Sequence, residues 1–322
     1  MSLSTLHGPE EHASSPESLS DGVIAVDIGA TKTVVARVHQ GRFRELERFP
    51  TAADPEDELS ALVSAIRGET GAGPVAVGIG APGPLDSATG TILTPPNLPE
   101  WRNFPLASRL AAAVEAPVRV ENDASLGALG EARFGSGREV GSMYYLTLST
   151  GIGAGYVLDG ELVGGHAGMA GEVWALDPGL FEGAPSGENI IERCSGPGIV
   201  RSVERGLADG AVSTLERGAV DTRAIMAALA AGDPLAEAVV ERGRAALTGL
   251  LMCVILAVAP EMVVLAGGLC TDPAWFVDPV RERLARFQVV RELSGVAIER
   301  ARLWDQAVLY GAAALAADAA TG

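Results

Sequence analysis

The chain has 322 residues, 48% of them hydrophobic, with 24 Lys and Arg against 41 Asp and Glu for a formal net charge of −17. That is apolar material for about two ordinary domains, so disorder is excluded as the overall state. An acidic chain with no basic block is also excluded as a general binder of duplex nucleic acid or anionic membrane.

In chain order, residues 1–21 are Ser/Glu/Pro-rich without an apolar h-region and read as a disordered tail rather than a signal peptide. Val23 to Val26 then enters Asp27-Ile28-Gly29-Ala30-Thr31-Lys32-Thr33, followed by Val34 to Val38, the turn His39-Gln40-Gly41 and another strand. The same layout of strand, polar glycine turn, strand, turn and strand returns at Tyr144 to Leu148, Ser149 to Gly155, Tyr156 to Leu158, Asp159-Gly160 and Glu161 to Val163. The spacings differ, so the duplication is topological and predicts two related α/β domains. Between the hairpins the pattern predicts a helix over Pro55 to Arg67, strands at Val75 to Ile79 and Val118 to Val120, and a helix over Ala124 to Phe134. Gly164 to Glu188 loses periodicity and reads as a functional loop. Helices follow at Thr222 to Ala230 and Pro234 to Ala259, then a strand at Met262 to Ala266 running into Gly267-Gly268, and an Ala-rich helix from Val308 to Ala320. The apolar run Leu250 to Ala259 is too short to span a bilayer and reads as buried helix. Cys194, Cys253 and Cys270 lack CxxC spacing and read as core or near-core thiols in a reducing compartment.

Three constellations can carry chemistry. At Asp27, Gly29, Thr31 and Lys32, glycine admits backbone N–H groups to a phosphate, Thr and Lys donate to its oxygens, and the carboxylate suits hydrated Mg²⁺; an ordinary hairpin with a surface lysine is the plainer account. The GxxxxGK[ST] spacing of a Walker A loop is absent. The run Ser149 to Gly155 is either a second anion-facing loop or a glycine-rich turn. Glu121-Asn122-Asp123, after an apolar strand, offers a carboxylate to accept a hydroxyl proton and an amide to orient the same substrate, or else a helix N-cap. Pro96-Asn97-Leu98-Pro99-Glu100-Trp101 and Gly171-Glu172 add amide, indole and carboxylate partners suited to a polyol, and each can equally be surface loop. His166 and Trp174 read as loop residues, and Glu45 to Arg48 as a solvated strand face.

Together with Gly80-Ala81-Pro82-Gly83-Pro84 and Leu265-Ala266-Gly267-Gly268, these motifs occur in the order of the ROK family of sugar kinases, which the chain resembles from about Val23 to Ala316. The resemblance implies an α/β fold of two ribonuclease H-like (actin-like ATPase) domains with a cleft between them, expected at 22–133 plus 305–322 and at 134–304. It implies transfer of phosphate from ATP with Mg²⁺ to a hexose hydroxyl, glucose first. Asp123 is then the general base, and Asn97, Asn122 and Glu172 hold the other hydroxyls. Asp27 would hold Mg²⁺ through water, and Gly29, Thr31, Lys32, Thr150, Gly151 and Gly153 would bracket the phosphates, with Gly267 and Gly268 near the nucleoside. A cytoplasmic homo-oligomer, dimer or tetramer, with no nucleic-acid or membrane partner, is the further expectation.

The sequence departs from the family at one place. Many members carry a His three residues after the glutamate that matches Glu172, then a cysteine cluster, which together bind a structural zinc. Here that position is Ala175 and Asp177 to Glu188 has no cysteine, so no zinc is expected and Glu188 or Glu192 is expected to supply a replacement carboxylate. Alternatives are a weak or inactive sugar-binding homologue, a kinase for an N-acetylhexosamine or fructose, and a sugar-responsive repressor. For the last, the stretch ahead of the first strand is too short for a helix-turn-helix.

Overall fold

The computed structural model describes residues 19–68, 73–179 and 187–321; most of the expected N-terminal tail and part of the Gly164 to Glu188 loop lie outside them. By compactness the chain divides into two units. Unit 1 runs to Arg138 and resumes at Arg302, and unit 2 is Glu139–Ala301.

Unit 1 opens with β1 (Ile24–Ile28), β2 (Thr33–His39) and β3 (Arg42–Phe49). The β2–β3 turn places Gln40 and Gly41 both at positive φ, 52° and 68°, the two-residue hairpin geometry that matches strand twist. Helix α1 (Pro55–Arg67) starts where Asp54 accepts the N–H of Glu56 at 2.8 Å with Pro at the first turn, and ends after Arg67. Then follow β4 (Val77–Ala81), a ribbon of β5 (Leu85–Asp86) and β6 (Thr91–Ile92), α2 (Leu106–Val114), β7 (Val118–Asn122) and α3 (Asp123–Phe134). The five-stranded sheet has the order β3-β2-β1-β4-β7, antiparallel across β1 to β3 and parallel across β1, β4 and β7. The charged residues of β3, Arg42, Arg44, Glu45, Glu47 and Arg48, are all exposed on this edge strand, which blunts the sheet against further pairing.

Unit 2 repeats this topology. β8 (Ser142–Leu148), β9 (Ile152–Leu158) and β10 (Glu161–Leu162) form the antiparallel part, with Asp159-Gly160 in the same positive-φ turn. Past α4 (Ile190–Cys194), α5 (Gly196–Ala208), α6 (Thr222–Ala230) and α7 (Pro234–Val258) comes β11 (Met262–Ala266), then α8 (Val277–Leu284) and β12 (Ala297–Arg300). The order β10-β9-β8-β11-β12 matches the first sheet strand for strand. Its core sets Leu146, Leu148, Val263 and Leu265 of the sheet against Leu247, Leu251 and Phe276.

Helix α9 (Ala307–Thr321) belongs to unit 1. Its Ala-rich face lies on β1 and β4 and on α3 at backbone distance: a Cβ on Gly78 would collide with the carbonyl of Ala312, one on Gly130 with that of Ala307, and one on Gly311 with that of Leu126. These approaches exclude any larger side chain.

Three expectations need correction. The strand placed at Val75 to Ile79 starts and ends two residues later, because Gly78 and Gly80 serve a close approach inside the strand rather than opening a loop. The apolar run Leu250 to Ala259 buries Leu250, Leu251, Val254 and Ile255 but exposes Cys253, Leu256 and Val258, since a helix on one sheet buries one face whatever its composition. Cys253 is therefore a surface thiol, whereas Cys194 and Cys270 are core residues. No helix among the described residues is long and apolar enough to cross a membrane.

Candidate active site

In unit 1 the parallel strands end in a row of polar groups. Asp27 pairs with Gly80, Gly80 with Glu121, and Ala81 with Asn122, so the C-terminal ends of β1, β4 and β7 set Asp27, Glu121, Asn122 and Asp123 along one edge, where open α/β sheets place ligands. Gly80 is the spacer: a Cβ there would strike Val308 and lie 3.7 Å from the Cα of Asp123.

Asn122, rather than Asp123, caps α3. Its Oδ1 accepts the N–H groups of Ala124 at 2.9 Å and Ser125 at 3.3 Å, and its Nδ2 is turned toward Gly83. Asp123 is the first helical residue, half-buried, with a carboxylate that accepts the N–H of Ala124 at 2.8 Å at the positive end of the helix. Burial and the charge of Asp123 push Asp27 up from 3.8 to about 7, while Lys32 and Arg48 pull it down and Asp305 adds to the rise. Two carboxylates thus lie within each other's field at this edge. Among the described residues no group of three His, Cys, Asp or Glu is set to hold a metal. The carboxylates of Asp27 and Asp123 are hard oxygen donors of the kind that suit Mg²⁺, which keeps several waters and completes its shell from phosphate.

The β1–β2 hairpin is braced from beneath. The Thr51 hydroxyl donates to the carbonyl of Gly29 at 2.7 Å, and buried Glu58 of α1 accepts from the Thr33 hydroxyl at 2.5 Å and from the N–H of Ala52 at 2.7 Å. Burial raises the pKa of Glu58 against these donors. Trp101, expected as a polyol partner, is fully buried and gives its indole N–H to the carbonyl of Ala52 at 3.2 Å, so it supports the hairpin instead. Thr31 and Lys32 are exposed at the tip, and Asn97 is exposed in the turn after Pro95. Lys32 and Asp27 also line a cavity of about 550 Å³ with Glu45, Arg48, Asp305 and Tyr310. Glu45 to Arg48, read as solvent-facing strand, thus doubles as a wall near Asp27. Sequence reasoning missed Asp305, which no motif marks and which reaches Asp27 only through the return of the chain to unit 1.

In unit 2, Thr150 is exposed at the β8–β9 tip, and Gly151 has open space where a Cβ would stand, leaving its backbone accessible. Gly153 lies in β9 opposite Thr147. Gly267, at φ 86°, lies so close to Leu148 that a Cβ would collide with its carbonyl, which sets the end of β11 beside the hairpin; Gly268 faces open space. Helix α5 braces the tip, since Gly196 donates its N–H to the carbonyl of Ser149 at 2.9 Å while Gly198 donates to the Ser195 hydroxyl at 3.0 Å. With Pro197 lacking a donor, that helix end supports the hairpin and keeps no donors of its first turn for a ligand. The Ser-Gly-Pro-Gly signal of this cap stands in the sequence, Ser195 at the cap and Pro197 in the first turn.

Gly171 packs on β9 through a position that a Cβ would bring into the carbonyl of Ala154, and the exposed Glu172 next to it accepts from the indole of Trp174. Burial, and the charge of Glu172, raise the pKa of Tyr144. Ala175 is exposed. Glu192 is held at two points by Arg201, at 3.0 and 2.7 Å, while Glu188 faces Arg205 at 2.8 Å, Arg242 at 3.5 Å and Arg193 at 3.6 Å. Arg205 foremost holds the Glu188 carboxyl below the usual range. The chain on either side of residues 180–186 meets at one carboxylate: Asp177 accepts the N–H of Gly179 at 2.8 Å and of Gly187 at 3.0 Å.

A model of the ROK family matches residues 23–319. A glucokinase from Streptomyces coelicolor is 33% identical over 308 residues, 91% of this chain and 96% of that protein. Among solved structures, a ROK hexokinase from Thermus thermophilus is 32% identical, covers 93% of this chain and 99% of its own, and superposes with a TM-score of 0.76. A ROK family glucokinase from Streptomyces griseus, solved with glucose and AMPPNP, is 30% identical with 92% and 99% coverage and a TM-score of 0.73. The two matching sheets and their helices are the actin-like ATPase fold of these proteins.

Proposed function

The chain belongs to the ROK family, and from that premise we propose that it is an ATP-dependent hexose kinase, with the 6-hydroxyl of glucose as first acceptor. The observation that carries the reading is the pairing of Asp123 with Asp27 across Gly80 at the sheet edge. Sugar kinases 30–33% identical along nine-tenths of the chain support it. Bound MgATP supplies the phosphoryl group and the positive charge. Asp123 accepts the proton of the attacking hydroxyl, worth about 10²–10⁴ in rate for a well-placed base. Its attachment to the rigid start of α3 fixes the line of attack. Asp27 would hold the hydrated Mg²⁺ of the nucleotide. The backbone N–H groups at Gly29, Gly151 and Gly153, with Thr31, Lys32 and Thr150, orient the phosphates, and Gly267-Gly268 lie by the nucleoside. Asn122 through Nδ2, Asn97, Glu172 and Glu192 orient the remaining hydroxyls. The working form is a cytoplasmic homo-oligomer.

ADP release measured over a panel of glucose, mannose, fructose and N-acetylated hexosamines tests the proposal. Glucose-dependent turnover is expected; no sugar-dependent turnover with any member refutes the kinase reading. A second reading, a weak or inactive sugar-binding homologue, is favoured by one feature: the exposed Ala175 stands where the family resemblance places a histidine. Calorimetric sugar binding without ADP release would select it.

A further inference from the structure

Glu131, in the third turn of α3, is fully buried. Its carboxylate is held by main-chain donors: Oε2 accepts the N–H of Ser136 at 2.8 Å, and Oε1 accepts those of Arg302 at 2.9 Å and Leu303 at 2.7 Å. Its own carbonyl accepts the N–H of Gly135 at 3.1 Å and Gly137 at 2.9 Å. These donors come from two places far apart in sequence. Ser136 and Gly137 stand just before unit 1 gives way at Arg138, and Arg302 and Leu303 are the first residues after it resumes. One buried side chain thus holds both connections of unit 1.

The surroundings are shaped to keep this arrangement. Gly135 has no room for a Cβ, which would run into Oε2 of Glu131. The contacts of Gly130 with Ala307 and of Gly311 with Leu126 lock α9, and so the returning segment, against α3. A buried carboxylate with so many donors is costly to disturb, because each orphaned N–H would lose its partner away from water. Asp123 lies eight residues earlier on the same helix, about 12 Å along its axis at 1.5 Å per residue.

We propose that Glu131 is a positioning residue: it ties both connections to helix α3, so that their placement and the orientation of Asp123 are set together. The proposal rests on the reading of Asp123 as the base. A loosened Glu131 leaves α3 with its cap but without its fixed far end, and the first turn, which carries Asp123, loses its reference.

The test compares the full-length protein with Glu131→Gln by hydrogen exchange and by sugar-dependent ADP release. Glu131→Gln keeps the shape but replaces one accepting oxygen by a donor facing N–H groups. Exchange is expected to quicken about tenfold or more at Ser136 or at Arg302 and Leu303, and also at Ala124 and Ser125 in the first turn of α3, while β1, β4 and the amides of unit 2 keep their rates. kcat is expected to fall with the sugar KM little changed. Unchanged exchange at 136, 302 and 303, a change there without one at 124 and 125, or uniform acceleration through unit 1 would each overturn the proposal. So would a changed first turn with unaltered kcat. Glu131→Asp, which keeps the charge but shortens the reach, supplies the same measurements if Glu131→Gln does not fold. Because exchange needs no turnover, absence of kinase activity in the unaltered protein would count against the kinase reading alone.

Discussion

Replacing Asp27 by Asn tests the acidic sheet edge directly. The carboxyl rises from 3.8 to about 7, chiefly through burial and then through Asp123. A rise of about three units, at 1.36 kcal/mol each, sets a ceiling of about 4 kcal/mol on the cost of its charged form. Half-burial and relaxation of the neighbours reduce the working figure to about 2 kcal/mol. The sign follows from linkage: the folded pKa exceeds the unfolded one, so the favourable contribution is complete below about pH 4 and is lost as pH rises through about 7. Urea unfolding of both proteins between pH 4.5 and 8.5, without sugar or divalent cation, reads it out. Stability of the unaltered protein should decline across that interval relative to Asp27→Asn, leaving the variant about 2 kcal/mol more stable at pH 8. Parallel curves, or a variant less stable at pH 8, would refute the claim that Asp27 is held charged at a cost. The same variant should bind MgATP poorly, since an amide does not replace an anionic holder of hydrated Mg²⁺.

Asp123→Ala should lower kcat by about 10²–10⁴ and leave hexose affinity by calorimetry within a few-fold; wild-type turnover would place the base elsewhere. Gly311→Ala sets helix propensity, which favours Ala by about 1 kcal/mol, against a backbone collision with Leu126. A loss of about 3 kcal/mol in chemical unfolding is expected, because overpacking against a main chain cannot be relieved by rotamer change; a gain would refute the close α3–α9 approach. Burial pushes Cys194 and Cys270 up to about 12, whereas Cys253 is exposed. An aromatic disulfide reagent at pH 8 should therefore titrate one thiol per native chain quickly and three after denaturation. Asp233, whose burial is outweighed by N–H donors from Ala236 and Thr214 and by the hydroxyls of Thr214 and Ser213, is held at about 2. Its folded pKa lies below the unfolded one, so Asp233→Ala should lose stability at neutral pH, measured by melting temperature, and the difference should shrink as pH falls through about 2.

Elements that carry their own start, period and stop were legible. Helix α1 has Asp54-Pro55 at one end and Arg67-Gly68 at the other, and α6 and β11 stand where their patterns placed them. Helices α2, α5 and α8 and strand β12 were not legible: Leu106–Val114 follows a proline without a side-chain cap, α5 opens on Gly-Pro-Gly, α8 is largely charged, and β12 has four residues with two exposed. At the candidate site, Asp27, Asn122 and Asp123 stood out as residue types in a pattern. The capping role went to Asn122, because the backbone of β7 continues two residues further than its apolar run.

What the sequence by itself determined is whatever depends on near neighbours along the chain. The two hairpins with Gln40-Gly41 and Asp159-Gly160 at their turns, the capped helices and the order of the family's motifs are of that kind. Only the tertiary structure decided that Asp27, Asp123 and Asp305 share one field, that Trp101 supports a hairpin, and that Glu131 gathers N–H groups from both connections of unit 1. Turns, caps and periodicity are set by bonds reaching a few residues, whereas burial and Coulomb interactions depend on distance in space, which folding alone brings down to a few ångströms.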